Sequence, residues 1–293
     1  MLSNDPVQIK NNLVLVQDHS RHFSGFAFVY PVISRRSRGL SIGINLNPDK
    51  VCNFDCVYCE VDRRVPATVS RLALGQMRQE LLAMIQFVQK GGLADDPRFK
   101  EVPGLAQIIR DIAFSGDGEP TLVHNFARCV QEVAAVKRSE RLDQTKIVLI
   151  TNATGLDKAD VQEGLALLDA NQGEIWAKLD AGTEAYFHLI NRSHVQFERI
   201  LQNLLIAARK RPIIIQTLFL RVDQQIIPTA ELEAYCDRLN HIVHDGGRIK
   251  EVHAYTVARP TPEPFAHRLT LAELDALADV IRQKTGLTVL TFP

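Results

Sequence analysis

The chain lacks several features that would otherwise classify it. No apolar stretch approaches the ~20 residues of a membrane-spanning helix, and residues 1–30 mix charged and apolar side chains without the compact apolar block of a secretory signal. These absences predict a cytoplasmic protein with no membrane partner. Neither sign of charge prevails: 34 Lys and Arg balance 34 Asp and Glu, so no global field gathers nucleic acid, and any RNA binding has to be local. Proline, glycine and serine never collect into a linker, and no internal repeat or low-complexity tract divides the chain. Ser-His-Asp order and a phosphate-binding loop signature are missing as well. Cysteine is scarce. Five is an odd number, three of them fall within residues 52–59, and Cys129 and Cys236 stand alone in apolar helical surroundings, so there is no disulfide framework. The two isolated cysteines read as small buried hydrophobes.

What is present is an alternation of strand and helix in 293 residues of 46% hydrophobic composition, enough for one large core. Residues 39–46 read as an apolar strand, followed by a polar loop with the cysteines. Leu74, Met77, Leu81, Ile85 and Val88 then mark an amphipathic helix by their spacing. Further strands are predicted at 108–114, 146–150, 174–179, 212–220 and 251–257, with a last short one at 287–290. Helices fall between them at about 123–138, 157–170, 195–209 and 229–243, the last capped by Thr229. Thr270-Leu271-Ala272-Glu273 has the capping-box pattern that opens a final helix. Six strand–helix units predict a parallel α/β sheet with right-handed crossovers, either barrel-like or open and doubly wound.

In either architecture the ligand site lies at the carboxyl ends of the strands. After the first strand comes Cys52-Asn53-Phe54-Asp55-Cys56-Val57-Tyr58-Cys59, three thiolates that can converge on one inorganic core. Structural zinc needs a fourth ligand, and only His19 and His22 lie upstream of the loop. A plain electron-transfer cluster prefers four cysteines. Three ligands leave one iron open. After the second strand stands Ser115-Gly116-Asp117-Gly118-Glu119-Pro120, whose glycines allow close backbone approach and also suit an ordinary turn. After the third, Thr151-Asn152-Ala153-Thr154-Gly155 offers polar groups at a helix entrance or a simple cap. Lys178 and Asp180 alternate around Leu179 and so share one side of the fourth strand; Lys178 then needs a partner, Asp180 or a ligand carboxylate. Gln216 interrupts an apolar run and needs a hydrogen-bond partner. His253, Tyr255 and Val257 share a face of the sixth strand, which exits into a Pro-rich stretch, 258–264. His241 and His244 sit one helical turn apart, where a helix C-terminus also favours histidine. Arg35, Arg36 and Arg38, with Arg63 and Arg64, form basic patches that either grip phosphates or stay solvated.

Cys52, Cys56 and Cys59, with Tyr58 before the last, resemble the signature of the radical S-adenosylmethionine superfamily. That resemblance implies a 4Fe-4S cluster on the three cysteines, with S-adenosylmethionine on the open iron. One electron would cleave the cofactor to a 5′-deoxyadenosyl radical that abstracts hydrogen from a substrate, and an external donor such as flavodoxin or ferredoxin would supply the electron. The resemblance also implies a partial (β/α)6 TIM-type barrel over residues 39–293, with residues 1–38 an extension packed on it, in a single domain. Gly116-Asp117-Gly118-Glu119-Pro120 looks like a variant of the family motif that bonds the cofactor's ammonium. The implied cofactor contacts are Tyr58, Gly116, Asp117, Gly118, Glu119, Asn152, Lys178, Asp180, Gln216 and Tyr255; no catalytic side chain is assigned. Within the superfamily, Gly116–Pro120, 178–181 and Arg259-Pro260 look most like the branch that includes 4-demethylwyosine synthase, which implies tRNA modification as an alternative. Those enzymes use a second cluster on cysteines upstream, and none precedes Cys52, so a single cluster is expected. A non-enzymatic iron-sulfur carrier or regulator is the remaining reading.

Overall fold

The structure is a computed structural model and describes residues 21, 23–67, 69–100, 104–259, 261 and 263–293. Strand β1 (Val29–Ser34) turns back into β2 (Gly39–Ile44), whose six residues are all buried. Helix α1 (Leu74–Gln89) follows the cysteine loop, and its buried face carries Met77, Leu81, Met84, Ile85 and Val88 at helical spacing. The chain continues through β3 (Ile109–Phe114), α2 (Phe126–Ser139), β4 (Lys146–Thr151), α3 (Ala159–Asp169) and β5 (Gly173–Lys178). Two helices then come in succession, α4 (Glu184–Asn191) and α5 (Phe197–Lys210), before β6 (Ile213–Leu218) and the short β7 (Arg221–Val222). Last are α6 (Thr229–His244), β8 (Ile249–Tyr255), the short β9 (Ala266–His267), α7 (Leu271–Thr285) and β10 (Val289–Phe292).

The main sheet has the order β1-β2-β3-β4-β5-β6-β8-β10. All pairs are parallel except β1 with β2, and the sheet curls into a half-barrel. Of the two architectures that the alternation leaves open, this is the partial barrel that the resemblance implies. Helices cover the outer face, and the large core lies between them and the sheet. A smaller cluster of Ala113, Val148, Trp176 and Ile214 fills the inner face, as two-residue alternation requires of strands buried on both sides. Cys129 and Cys236 are both buried, in α2 and α6.

Several local predictions change. The helix α4 was not foreseen; Thr183 caps it by accepting from the Tyr186 N–H at 3.2 Å. Thr229 is the first residue of α6 rather than its cap, because Pro228 takes the cap position with φ of −60°. The 151–155 stretch is not a helix entrance, since α3 begins only at Ala159. The Thr270–Glu273 capping box is present as read. Of segment 1–38, residues 1–20 and 22 lie outside the described residues, His19 and His22 among them. Its described part forms β1 at the sheet edge. Glu80 of α1 fixes that part by accepting from the backbone N–H groups of Ala27, Phe28 and Val29 at 2.8 to 3.2 Å.

Candidate functional site

A cavity of about 310 Å³ opens inside the half-barrel, lined by the cysteine loop, the Gly116–Glu119 turn and the inward side chains of the strands. The cysteine loop is held on two sides. Gly118 lies so close that a Cβ would stand 2.0 Å from the Val51 carbonyl oxygen. The Glu119 N–H donates to the same oxygen at 3.1 Å. On the other side, Asp55 and Val57 donate backbone N–H groups to the Asn191 and Ile190 carbonyls at 3.0 and 2.9 Å, and Phe54 packs edge-on against Phe187. The unforeseen helix α4 therefore seats the loop.

The three thiols are partly buried and each meets an N–H donor. The Phe54 N–H points at Cys52 Sγ at 3.4 Å, Asn191 Nδ2 at Cys56 Sγ at 3.3 Å, and Arg63 Nη1 at Cys59 Sγ at 3.3 Å. Burial pushes the Cys52 thiol up and the Cys56 thiol up to about 12, with Lys178 opposing the shift at Cys56. An electropositive ligand must therefore displace these protons to bind. Among the described residues no group of three or more His, Cys, Asp or Glu side chains closes on a point fit for a single metal ion. A cubane makes a different demand, since each thiolate binds its own iron. Three soft donors on one loop, with hydrogen bonds to the sulfurs and an open cavity beside them, fit that group.

Of the residues read as cofactor contacts, Tyr58, Lys178, Asp180 and Tyr255 form one network. Lys178 Nζ donates to Tyr255 Oη at 2.8 Å and Tyr58 Oη at 3.1 Å, and Tyr58 donates in turn to Asp180. Burial pulls the Lys178 ammonium's pKa down, but Tyr255, Asp180 and Cys56 outweigh it and hold it above the usual lysine value. Burial also raises the Tyr58 hydroxyl well above its ordinary range, so it stays a donor. Asp180 additionally accepts from Asn191 Nδ2 and the Leu218 N–H, both at 2.9 Å. Glu119 is engaged in the same way. Its carboxylate accepts from Thr121 N and Oγ1, Thr151 Oγ1 and Asn152 N at 2.6 to 3.1 Å. Both carboxylates are buried and committed to protein donors.

Asp117 faces the cavity, paired with Arg21 and accepting from Asn45 Nδ2 at 2.6 Å. Gly116 admits no side chain, since a Cβ there would lie 2.2 Å from Asn45 Oδ1. Asn152 Nδ2 donates to Asn53 Oδ1 at 2.8 Å and so ties the third strand end to the cysteine loop. Gln216 lies deeper, accepting on Oε1 from Arg36 Nη1 at 2.9 Å. Tyr255 and Val257 line the cavity, while His253 is tucked below, edge-on to Trp176 and Phe292. Beyond β8, Arg259 pairs with Glu60 at 2.6 Å; Pro260 and Pro262 lie outside the described residues. His241 and His244 pair with Asp245 on the surface, away from the cavity. Arg38 and Arg64 are exposed. The sequence reading did not find Asn45, Asn191 or the inward course of Arg36. Asn191 carries no motif, and a hairpin turn gives no pattern to say which of its arginines points inward.

No protein-family model matches the chain. A UPF0026 protein of Methanocaldococcus jannaschii is 30% identical over 210 residues, 69% of this chain and 57% of that protein. The chain thus spans little more than half the length of this relative. A radical SAM methyltransferase from Sphaerobacter thermophilus superposes with a TM-score of 0.61 over 90% of this chain and 68% of that one, at 14% identity. TYW1 with a lysine-pyruvate adduct bound superposes with a TM-score of 0.52 over 85% and 74%, at 15% identity. The chain has the fold of these radical SAM enzymes.

Proposed function

We propose that the protein is a radical S-adenosylmethionine enzyme with a single 4Fe-4S cluster on Cys52, Cys56 and Cys59. The observation that carries this reading is the three-cysteine loop, opening with hydrogen-bonded sulfurs onto the cavity at the strand ends of a half-barrel. When bound, the cluster and S-adenosylmethionine supply one-electron cleavage of the cofactor and hydrogen abstraction by the resulting 5′-deoxyadenosyl radical. The chain supplies position and shelter.

Gly116 and Gly118 bring backbone close to the cavity, and Asp117 offers a carboxylate there for the cofactor's ammonium. Lys178 remains charged, has no acidic partner within ion-pair distance among the described residues, and is the group for the cofactor's carboxylate. Tyr58 and Tyr255 hold the Lys178 ammonium in place. Glu119 and Asp180 act as positioning residues: the first joins the second strand end to Thr151 and Asn152, the second joins Tyr58 to α4. Asn152 orients the loop through Asn53. The partners are an external one-electron donor, such as flavodoxin or ferredoxin, and a substrate.

Anaerobic reconstitution with iron and sulfide, then reduction in the presence of S-adenosylmethionine, is expected to yield 5′-deoxyadenosine by mass spectrometry. Full iron loading without that product sinks the enzyme reading and leaves a carrier. For the tRNA alternative, the expected signature is co-purified RNA or salt-sensitive tRNA binding.

A further inference from the structure

Among the cations lining the cavity is one, Arg36, to which the proposed cofactor contacts give no role. Arg36 lies in the turn between β1 and β2 and reaches across to the far wall, where its Nη1 donates to Gln216 Oε1 at 2.9 Å. Its guanidinium lies 5.1 Å from the Tyr255 ring centre and 5.6 Å from that of Trp176. No Asp or Glu among the described residues forms an ion pair with it. Asp111 feels the Arg36 charge at longer range, but the half-buried guanidinium has given up hydration without an ion-pair partner in return.

Gln216 makes the same demand. It is fully buried and lines the cavity, and because Arg36 occupies Oε1, its Nε2 has no partner among the described residues. Two donor groups thus stand side by side where an acceptor would satisfy both. None of the acids lining the cavity forms an ion pair with Arg36. Asp117 pairs with Arg21 and faces the cofactor's end, Glu60 pairs with Arg259, and Asp111, which feels the Arg36 charge, accepts from Ser41 Oγ at 2.5 Å. The surroundings carry excess positive charge as well: burial, then Arg36, Arg259 and Arg268, lower Arg35 to about 10.

We propose that Arg36 and Gln216 form a binding site for an anionic group of the substrate, a carboxylate or a phosphate, inside the barrel beside Trp176 and Tyr255. The proposal rests on the radical-enzyme reading for the word substrate, and it fixes that substrate's class as anionic. On that reading S-adenosylmethionine would not fill the site, because its one carboxylate is the group assigned to Lys178. A guanidinium fork with an adjacent amide N–H suits a planar or tetrahedral oxyanion.

Trp176 is the only tryptophan of the chain, so its emission reports on this site alone. The full-length protein, with and without reconstituted iron, is titrated at constant ionic strength with inorganic phosphate and with acetate, against chloride. The expected result is a saturable change in emission with one of the two anions, which also tells phosphate from carboxylate. Binding weakens at least tenfold in Arg36→Met, and less in Arg36→Lys, which keeps the charge and loses the fork. Gln216→Leu weakens it severalfold. No saturable response in the wild type, or an undiminished response in a folded Arg36→Met or Arg36→Lys, overturns the proposal. So does a variant that loses S-adenosylmethionine binding but keeps the anion response, since Arg36 then serves the cofactor. 5′-Deoxyadenosine is scored separately on the same reconstituted samples. Cleavage without anion binding removes the subsite alone, and anion binding without cleavage removes the radical reading alone.

Discussion

At the scale of single residues, the absence of a side chain at Gly118 decides where the cysteine loop starts. The Val51 carbonyl, one residue before Cys52, fills the space a Cβ would need, and Asn47 Cβ stands 2.7 Å from the same point. Both obstacles are backbone or the root of a side chain, so neither can swing away. Gly118→Ala is therefore expected to cost about 1–3 kcal/mol, as overpacking does. It should also move the loop, so that iron bound per chain after reconstitution falls severalfold. Gly75→Ala is the contrast. That glycine lies exposed in the first turn of α1 with open space around it, and alanine there should stabilise the helix by ~0.5–1 kcal/mol with iron content unchanged. Thermal melting and iron analysis of both variants check the pair. A Gly118→Ala protein with full iron would mean that the loop is not seated by this contact.

At the scale of elements, α4 ties the cysteine loop to the sheet. Asn191, at its last position, donates from one amide nitrogen to Cys56 Sγ and to Asp180 Oδ2. Asn191→Leu keeps the size and removes the donor. The variant is expected to fold and to take up iron, but to lose its visible absorbance in air several times faster than the wild type, because the Cys56 sulfur loses a hydrogen bond. An unchanged rate of bleaching counts against this role. The element was hidden in the sequence for a physical reason. Eight residues make barely two turns, too few for a helical period to stand out, and the preceding Gly182-Thr183 reads as loop. The strands of the parallel sheet were legible because each buries both faces and becomes a dense apolar run between polar loops. Some inward residues were legible too: Lys178 and Tyr255 line the cavity, as does Gln216, which stood out as a polar interruption of an apolar run. Which partners a carboxylate meets was not legible. Glu119 sits in a recognisable motif, yet beyond its neighbour Thr121 its oxygens are taken by Thr151 and Asn152, a distant pair of adjacent residues that only the fold brings to it.

At the scale of the whole molecule, the half-barrel has to be held at its closed end while its strand ends stay open to ligands. Glu174 on β5 helps to do this. It accepts from Lys146 of β4 and Lys250 of β8, each at 2.7 Å, and from Trp176 Nε1 at 3.1 Å, so one carboxylate joins three strands. Burial disfavours its charged form, but the two ammonium groups and the indole N–H outweigh that and hold its pKa below the usual glutamate value. A folded-state pKa below the unfolded one, about 4.3, gives stability that is fully present above the unfolded value. It is lost as pH falls through the folded value. Lys146 and Lys250 are half exposed, at 49% and 48%, so solvent screening leaves about 1 kcal/mol. Glu174→Gln should therefore lower the stability by that amount at pH 7, and the gap to the wild type should close as pH is taken from 6 towards 3. Denaturant titrations followed by Trp176 emission measure it directly, since the indole is one of the three partners. A gap that stays constant with pH would show that Glu174 contributes through packing rather than charge. The same change reaches the proposed anion site. Trp176 stands between Glu174 and Arg36, so Glu174→Gln should leave anion affinity within about twofold while shifting the emission baseline, if the floor of the barrel and the site above it are independent supports.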